Sequence, residues 1–200
     1  LVSEQVNRIV INDLDRAIYA FWVSVVNHTD ALIDRIHRAK VTVKEWRKQR
    51  ELYTNPRAAG IPDLGFATFF LNRVNRSGII DGWPIGGIEQ KGLWTIDARF
   101  NKTALTERIR RIGLYRDRIE VKNVDALELI NGYIKAPQTF IYLDPPYYAK
   151  GGSLYLNFYR DDDHRALARL LNRNANAPWV LTYDNLPNVR QLYAKRVIQE

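Results

Sequence analysis

The chain has 200 residues, enough for one domain with a small insert, and its 46% hydrophobic and 26% charged residues are typical of a globular protein. The lack of cysteine excludes a disulfide framework and any thiolate metal site, and no apolar run is long enough to cross a membrane. The formal net charge of +8 suits a polyanionic partner, of which nucleic acid is the commonest, although many basic proteins bind none.

The start of the sequence is unusual. It opens with Leu1 and contains no methionine, whereas a translated chain begins with methionine. The first residues already have the pattern of a strand, with no segment leading into it. We therefore expect further residues upstream of Leu1.

The N-terminal half alternates between one strand and a series of helices. β-branched residues predict a strand over 6–12 that ends in Asn12-Asp13. Apolar residues at helical spacing predict four helices, over 14–27, from a cap at Thr29 and Asp30, from a cap at Thr42 to Tyr53, and over 64–75. The last of these is rich in apolar residues, and we expect it to be buried.

Residues 77–100 interrupt this pattern. Glycines alternate there with Trp83, Trp94 and basic side chains, and neither a helical nor an alternating period survives. The segment therefore predicts a loop or an irregular hairpin.

The C-terminal half alternates helices and strands. We predict helices over 103–112, 125–130 and 187–194 and another that begins at Asp161, with strands over 118–122, 140–143 and 179–183. We interpret Asp161, Asp162 and Asp163 as helix-start acids, not metal ligands. Alternation of this kind predicts an α/β fold with a mostly parallel sheet.

The motif Asp144-Pro145-Pro146-Tyr147 follows the strand 140–143, at the strand end where ligands bind in open α/β sheets. The amino nitrogen of adenine is a poor nucleophile because its lone pair is delocalised into the ring. The Asp144 carboxylate and the Pro145 carbonyl could accept its two hydrogens and turn the lone pair toward a methyl group, while Tyr147 stacks on a base swung out of a duplex. The alternative is a tight turn that closes a strand, with Tyr147 as a core aromatic.

Two further acids follow predicted strands. Asp13 could hold ribose hydroxyls or cap the helix over 14–27, and Asp125 could contact a cofactor or cap the helix that follows it. The spacing alone leaves both alternatives open. The three histidines His28, His37 and His164 show no metal-ligand spacing, so we expect surface or helix-cap roles for them.

Basic side chains between residues 44 and 102 predict a surface that faces DNA, against the alternative of a solvated face. The candidate contacts in this region are Arg57, Asn72, Arg73, Arg76, Lys91, Arg99 and Lys102.

In combination, these residues resemble the N6-adenine DNA methyltransferases of the deoxyadenosine methylase type, including phage-borne members. The resemblance rests on segments in a fixed order along nearly the whole chain: Ile11-Asn12-Asp13-Leu14-Asp15, Phe69-Phe70-Leu71-Asn72-Arg73 with Ser77-Gly78, Asn123-Val124-Asp125-Ala126, the motif 144–147, and Thr182-Tyr183-Asp184-Asn185.

The resemblance implies a Rossmann-like fold that uses S-adenosylmethionine, with a methyltransferase core over 1–39 and 102–200 and a mainly helical DNA-recognition insert over 40–101. It implies that Asp13 binds the cofactor ribose, that Asp125 and Ala126 bind its adenine, and that Asp144 borders both cofactor and target base. Asp in place of Ser at position 144 favours adenine N6 over cytosine N4.

The same resemblance implies double-stranded DNA as substrate, with no metal and no membrane partner, in the cytoplasm of a bacterium or a phage-infected cell. A restriction–modification setting would add a cognate restriction enzyme as a partner.

One departure from the family leaves other functions open. The family begins with a strand and a glycine-rich cofactor loop, preceded by a segment with an aromatic residue and a lysine, and this sequence contains neither. The alternatives are therefore an inactive DNA-binding remnant, or a methyltransferase that acts on RNA adenine or on cytosine N4.

Overall fold

Two compact units of helices and parallel strands form the computed structural model, which describes residues 1, 3–148, 159–174 and 176–199. The first unit is Leu1–Asn123 and the second is Val124–Glu200. In the first unit the elements are β1 (Ile9–Asn12), α1 (Arg16–Asn27), α2 (Thr29–Arg38), α3 (Val43–Thr54), α4 (Ile61–Val74), α5 (Lys102–Gly113) and β2 (Ile119–Lys122). Strands β1 and β2 pair in parallel, with Ile9 opposite Ile119 and Asn12 opposite Lys122.

Helix α4 forms the centre of the first unit, and its expected burial is confirmed: every residue from Leu64 to Leu71 is buried. It packs against α1 and α3, and its phenylalanines contact Phe100 beyond the long loop. The approach to α1 is closest at Gly65, where a Cβ atom would lie 2.1 Å from the Ser24 hydroxyl oxygen and 2.5 Å from the Ala20 carbonyl oxygen. Only glycine fits at this contact, because any side chain would force the two helices apart.

Helix starts agree with the sequence at one position and differ at another. The predicted cap at Thr42 is confirmed, since its side chain accepts a hydrogen bond from Glu45 N at 3.2 Å. The predicted cap at Thr29 and Asp30 is wrong, because His28 holds the N-cap position of α2. Thr29 Oγ1 instead donates to the Val25 carbonyl at 2.6 Å. Helices α1 and α2 are separated by one residue, so the threonine hydroxyl serves the end of the preceding helix.

The end of α5 lies one residue beyond the predicted range 103–112. Gly113 is the last residue of that helix and is buried. A Cβ atom there would lie 2.6 Å from Thr29 Cγ2, so this glycine allows α5 to pack closely on α2.

The second unit contains α6 (Ala126–Tyr133), β3 (Ile141–Leu143), α7 (Asp161–Arg173), β4 (Trp179–Leu181) and α8 (Pro187–Leu192). Strands β3 and β4 pair in parallel, with Ile141 opposite Trp179 and Leu143 opposite Leu181. Its core contains Leu167 and Leu171 of α7, packed with apolar residues of α6 and α8. The acids Asp161–Asp163 form the first turn of α7, which confirms their reading as helix-start residues.

The predicted α/β class with parallel strands is therefore confirmed, although each strand has only three or four residues. The strand predicted over 179–183 ends at Leu181, which leaves Thr182 and Tyr183 just beyond the strand end. Within the described ranges, no helix has the length and apolarity needed to cross a membrane. The predicted division into a core and an insert stays a prediction.

We predict that Gly65→Ala lowers the free energy of unfolding by about 1–3 kcal/mol, because the new methyl group overpacks the contact with α1. The measurement is urea unfolding followed by circular dichroism. Gly132→Ala is the matched control, since Gly132 also lies in a helix and a Cβ atom there meets nothing within 4 Å. That control should gain up to about 1 kcal/mol from helix propensity. Equal stability of wild type and Gly65→Ala would contradict the close contact.

Candidate functional site

Asp144 lies directly after β3, beside the end of the parallel strand β4. Its side chain is exposed, and its Oδ1 accepts a hydrogen bond of 2.6 Å from Thr182 Oγ1. The Thr182 backbone N–H continues the strand pairing by donating to the Leu143 carbonyl at 2.9 Å. Thr182 thus holds the Asp144 carboxylate in one orientation, and the described contact uses only one of the two carboxylate oxygens.

A second hydrogen bond joins the same two strand ends. The backbone N–H of Tyr148 donates to Asp184 Oδ1 at 3.0 Å. The motif 144–147 is therefore fixed at its first residue by Thr182 and just beyond its last by Asp184. Pro145, Pro146 and Tyr147 are half-buried. The sequence identifies the segment 182–185 by resemblance alone, and the structure adds what two of its side chains contact.

A group of aromatic rings packs behind these strand ends around His164 on α7; we call His164, Tyr148, Tyr159 and Tyr183 the His164 cluster. The His164 ring centroid lies 4.6 Å from that of Tyr148, 5.4 Å from that of Tyr159 and 5.6 Å from that of Tyr183. Its Nδ1 is hydrogen-bonded to the Tyr183 hydroxyl. The expected surface or cap role of His164 is wrong, because the residue is 3% exposed. The helical spacing of His164 with Leu167 and Leu171 was the sequence signal that could have predicted its burial.

Burial shifts the protonation of this cluster. It lowers the pKa of His164, against the attraction of nearby carboxylates, and it raises the pKa of Tyr183. The imidazole is therefore neutral and the phenol protonated near neutral pH. In that state Tyr183 donates its hydroxyl proton to His164 Nδ1.

In the first unit, Asp13 lies at the end of β1, beside the end of β2. Its backbone N–H donates to the Lys122 carbonyl at 3.3 Å, and its Oδ1 accepts from Asp15 N at 2.8 Å. The side chain of Asn123 donates to the carbonyls of Asp13 and Leu14 at 2.7 and 2.9 Å. The structure thus joins the segment 11–15 to Asn123, which opens the second predicted cofactor segment.

The sequence left open whether Asp13 and Asp125 cap the helices that follow them, and the structure gives a different answer for each. Asp15, not Asp13, caps α1, since its Oδ1 accepts from Ala17 N at 2.7 Å. Asp125 does cap α6, because its Oδ1 accepts from Leu127 N at 2.8 Å and from Glu128 N at 3.2 Å. Ala126 is the half-buried first residue of that helix. Asp13 is half-buried, and desolvation raises the pKa of its carboxyl group.

Several of the predicted DNA contacts converge where α4 ends. Asn72 Nδ2 donates to the Gly78 carbonyl at 2.8 Å, and its Oδ1 accepts from Arg73 Nε at 3.0 Å. Arg99 Nη1 donates to the Asn75 carbonyl at 3.4 Å. Gly78 has a φ of +76° and lies against both Asn72 and Arg99, a conformation that glycine adopts without strain.

The charges in this region repel one another. Burial lowers the pKa of Arg73, and the neighbouring cations Arg99 and Arg108 lower it further. Arg108, on α5, belongs to this group of arginines, although it was not among the DNA contacts predicted from the sequence. Two guanidinium groups close enough to disfavour the charge of Arg73 form with it a surface suited to an anion.

Asn75 fixes the loop that leaves α4. It is fully buried, its Oδ1 accepts from Trp46 Nε1 at 2.8 Å, and its Nδ2 donates to the carbonyls of Ile79 and Ile80 at 3.0 and 2.7 Å. An antiparallel bridge to Pro84 completes the turn, which confirms the predicted irregular hairpin.

Gln90 fixes the later part of the loop. Its Nε2 donates to the Ile85 carbonyl and its Oε1 accepts from Ile96 N, both at 2.8 Å. Between these anchors the side chains of Leu93 and Trp94 are 92% and 68% exposed.

The remaining basic candidates lie in other settings. Arg57 and Arg76 are exposed, and Lys91 forms an ion pair with Glu89 at 2.8 Å. Lys102 has a structural contact, because its ammonium donates to the carbonyls of His37 and Ala39, both at 2.7 Å, where α2 ends. Among the residues that the structure describes, no three His, Cys, Asp or Glu side chains are grouped as metal ligands.

Comparison with known families identifies the chain. The family model described as D12 class N6 adenine-specific DNA methyltransferase matches residues 2–200, and the chain therefore belongs to that family. A search of curated proteins finds no match.

We predict that Asp13→Asn raises the stability of the protein at pH 8 relative to wild type. An acid whose pKa is raised by folding costs stability once it is ionised, and this cost disappears below the unfolded pKa of about 3.9. The difference between variant and wild type should therefore be present at pH 8 and vanish toward pH 3.5 in urea unfolding. Asp34→Asn is the matched control, since Asp34 is an exposed acid of α2, and it should show no such pH-dependent difference. A difference independent of pH would contradict the shifted pKa of Asp13.

Proposed function

From this family membership we propose that the protein transfers a methyl group from S-adenosylmethionine to N6 of an adenine swung out of duplex DNA. The observation that carries the proposal is the Asp144 carboxylate held by Thr182 at the carboxyl ends of two parallel strands. We further propose that the fold is the Rossmann-like fold of such enzymes, which the parallel pairs and alternating helices support. A cytoplasmic location follows from the DNA substrate.

The residues present fit S-adenosylmethionine in their chemistry. Asp13 is a half-buried acid at a strand end, and its carboxylate suits the hydroxyls of a ribose. Asn123 fixes the backbone at Asp13 and Leu14, so the acid is held in place before any ligand arrives. We assign Asp13 to the ribose and Asp125 with Ala126 to the cofactor's adenine. When bound, the cofactor supplies a methyl group on a positively charged sulfur.

The protein's part in the reaction is to orient the target amine. The Asp144 carboxylate and the Pro145 carbonyl accept the two amine hydrogens, which aims the nitrogen lone pair at the methyl donor and stabilises the positive charge that develops on the nitrogen. Because Thr182 binds Oδ1, the carboxylate does not have to reorient as the charge forms. Tyr147 stacks on the extruded base, and the prolines stiffen the loop that carries these groups.

The DNA backbone is the partner that we assign to the basic surface at the end of α4. Arg73, Arg76 and Arg99 supply donors for phosphate oxygens, and Asn72 orients Arg73. We assign Arg57 and Lys91, exposed cations that lie apart from the end of α4, as further contacts with the DNA backbone. The segment 40–101, with its helices and anchored loop, is then the DNA-recognition insert.

We predict that Asp144→Asn lowers the methyl-transfer rate at least 100-fold, because a neutral amide no longer stabilises the charge on the target nitrogen. The assay follows tritiated methyl groups from S-adenosylmethionine into unmethylated plasmid DNA of mixed sequence. Asp162→Asn is the matched control, since Asp162 is an exposed acid of the first turn of α7, and it should retain wild-type activity. Equal activity of Asp144→Asn and wild type would remove Asp144 from the mechanism.

Nucleoside analysis of the same product identifies the modified base. N6-methyladenine is expected, whereas N4-methylcytosine, or methylation of RNA in a parallel reaction, would contradict the substrate assignment. A wild-type chain that binds DNA and neither binds S-adenosylmethionine in calorimetry nor transfers methyl groups would instead be the inactive remnant.

We predict that Arg99→Gln weakens DNA binding and reduces the slope of log K against log salt by about 1, as expected for the loss of one phosphate contact. The measurement is fluorescence anisotropy with labelled duplex DNA between 50 and 300 mM salt, on the order of the range over which counterion release is usually followed. Arg116→Gln, which removes an exposed arginine outside the proposed surface, should leave the slope unchanged. An identical slope for wild type and Arg99→Gln would exclude Arg99 as a phosphate contact.

A further inference from the structure

Behind the candidate catalytic motif, one buried histidine contacts both segments that hold it. His164 packs its ring against Tyr148, whose backbone N–H binds Asp184, and its Nδ1 bonds the hydroxyl of Tyr183. Tyr183 lies between Thr182, which orients Asp144, and Asp184, which fixes Tyr148. The histidine is thus linked to the Asp144 carboxylate through two hydrogen bonds, its own with Tyr183 and the one that the neighbouring Thr182 donates to Asp144.

We propose that His164 is a positioning residue of the methyl-transfer site, and that its neutral form sets the position of Asp144 through Tyr183 and Thr182. The inference rests on the proposed function of Asp144. It assigns His164 no contact with substrate or cofactor.

The protonation state of the ring decides whether the link exists. Neutral His164 accepts the Tyr183 hydroxyl proton at Nδ1, whereas the imidazolium carries a proton on both nitrogens and accepts nothing. Protonation would also place a charge among packed aromatic rings. The hydroxyl of Tyr183 would then have to turn away, and the strand-end segment that it anchors would shift.

The groups that face His164 come from several segments. The carboxylates of Asp161 and Asp163 on α7 and of Asp184 after β4 favour the charged ring, as does a hydrogen bond with the backbone of Tyr159. Burial opposes them and has the larger effect, so the pKa of His164 lies below the ordinary value of about 6.5. Tyr148, Tyr159 and Tyr183 contribute no charge at neutral pH, since the pKa of each phenol is raised.

The test compares His164→Phe, His164→Asn and Tyr183→Phe with wild type, with His37→Asn as a control at an exposed histidine. We would measure kcat and KM for tritiated methyl transfer to unmethylated plasmid DNA from pH 5 to pH 8.5. Wild type should lose kcat on the acid side, with a midpoint equal to the His164 ring pKa measured by NMR titration. His164→Phe keeps a ring in the cluster and removes the acceptor. It should lower kcat about tenfold at pH 7.5, leave KM for DNA within about twofold, and lose the acid limb.

Two further variants separate positioning from mere stability. His164→Asn offers an amide oxygen to Tyr183, so it should restore most of kcat and show no acid limb. The double variant His164→Phe/Tyr183→Phe should be no slower than either single variant, because both changes break the same link. An unmoved acid limb in His164→Phe, or additive losses in the double variant, would overturn the proposal even if the melting temperature falls.

An NMR measurement that does not depend on activity tests the positioning role even if the wild-type protein transfers no methyl group. The carboxyl ¹³C resonance of Asp144 should shift as His164 titrates, and this dependence should vanish in His164→Asn. An Asp144 resonance that ignores His164 would overturn the positioning role. A shift with no activity would support the link and reject the proposed function instead.

Discussion

Parallel pairing of very short strands is the constraint on which both candidate sites depend. Three or four paired residues bring two chain segments to the same edge, and the described strand pairing extends only one residue further, to Asp13 and to Thr182. In each unit polar side chains also cross between the strand ends, Asn123 in the first unit and both Thr182 and Asp184 in the second. Asn123 reaches the backbone at Asp13, and the Thr182 hydroxyl reaches the carboxylate of Asp144.

The contacts made by Asn123 and by Thr182 differ in the groups that they bind. Asn123 binds main-chain carbonyls, so it fixes the path of the chain at Asp13 and leaves the acid's side chain to its own environment. Thr182 binds the Asp144 carboxylate itself and fixes its rotation. In the proposed function, a ribose hydroxyl needs an acceptor at a given place and a developing charge needs one in a given orientation, so the two arrangements suit the roles proposed for Asp13 and Asp144.

The sequence predicts the elements well where periodicity or a local cap determines them. Apolar spacing locates α4, and Thr42 marks the start of α3, because both signals act over a few residues. The cap at Thr29 is predicted wrongly because α1 ends two residues before it, at Asn27, and the Thr29 hydroxyl donates to a carbonyl of that helix.

The sequence did not predict the contacts between segments that are far apart along the chain. The bond between Thr182 and Asp144 spans 38 positions, and the burial of His164 depends on aromatic residues from three segments. In the sequence Lys102 resembled the other candidate DNA contacts, and only the structure shows that its ammonium group binds backbone carbonyls at the end of α2. The motif 144–147 was identifiable from its residues, and its supporting contacts were not.

In the loop after α4, one set of side chains determines the path of the backbone and another set forms the exposed surface. Its path is determined by buried side chains, of which fully buried Asn75 is the clearest, while the side chains of Leu93 and Trp94 are mostly exposed. Substitutions at such outer positions change what the loop touches without changing where it runs. Under the proposed function, the loop could thus change the DNA groups that it contacts without any change in the buried side chains that determine its path.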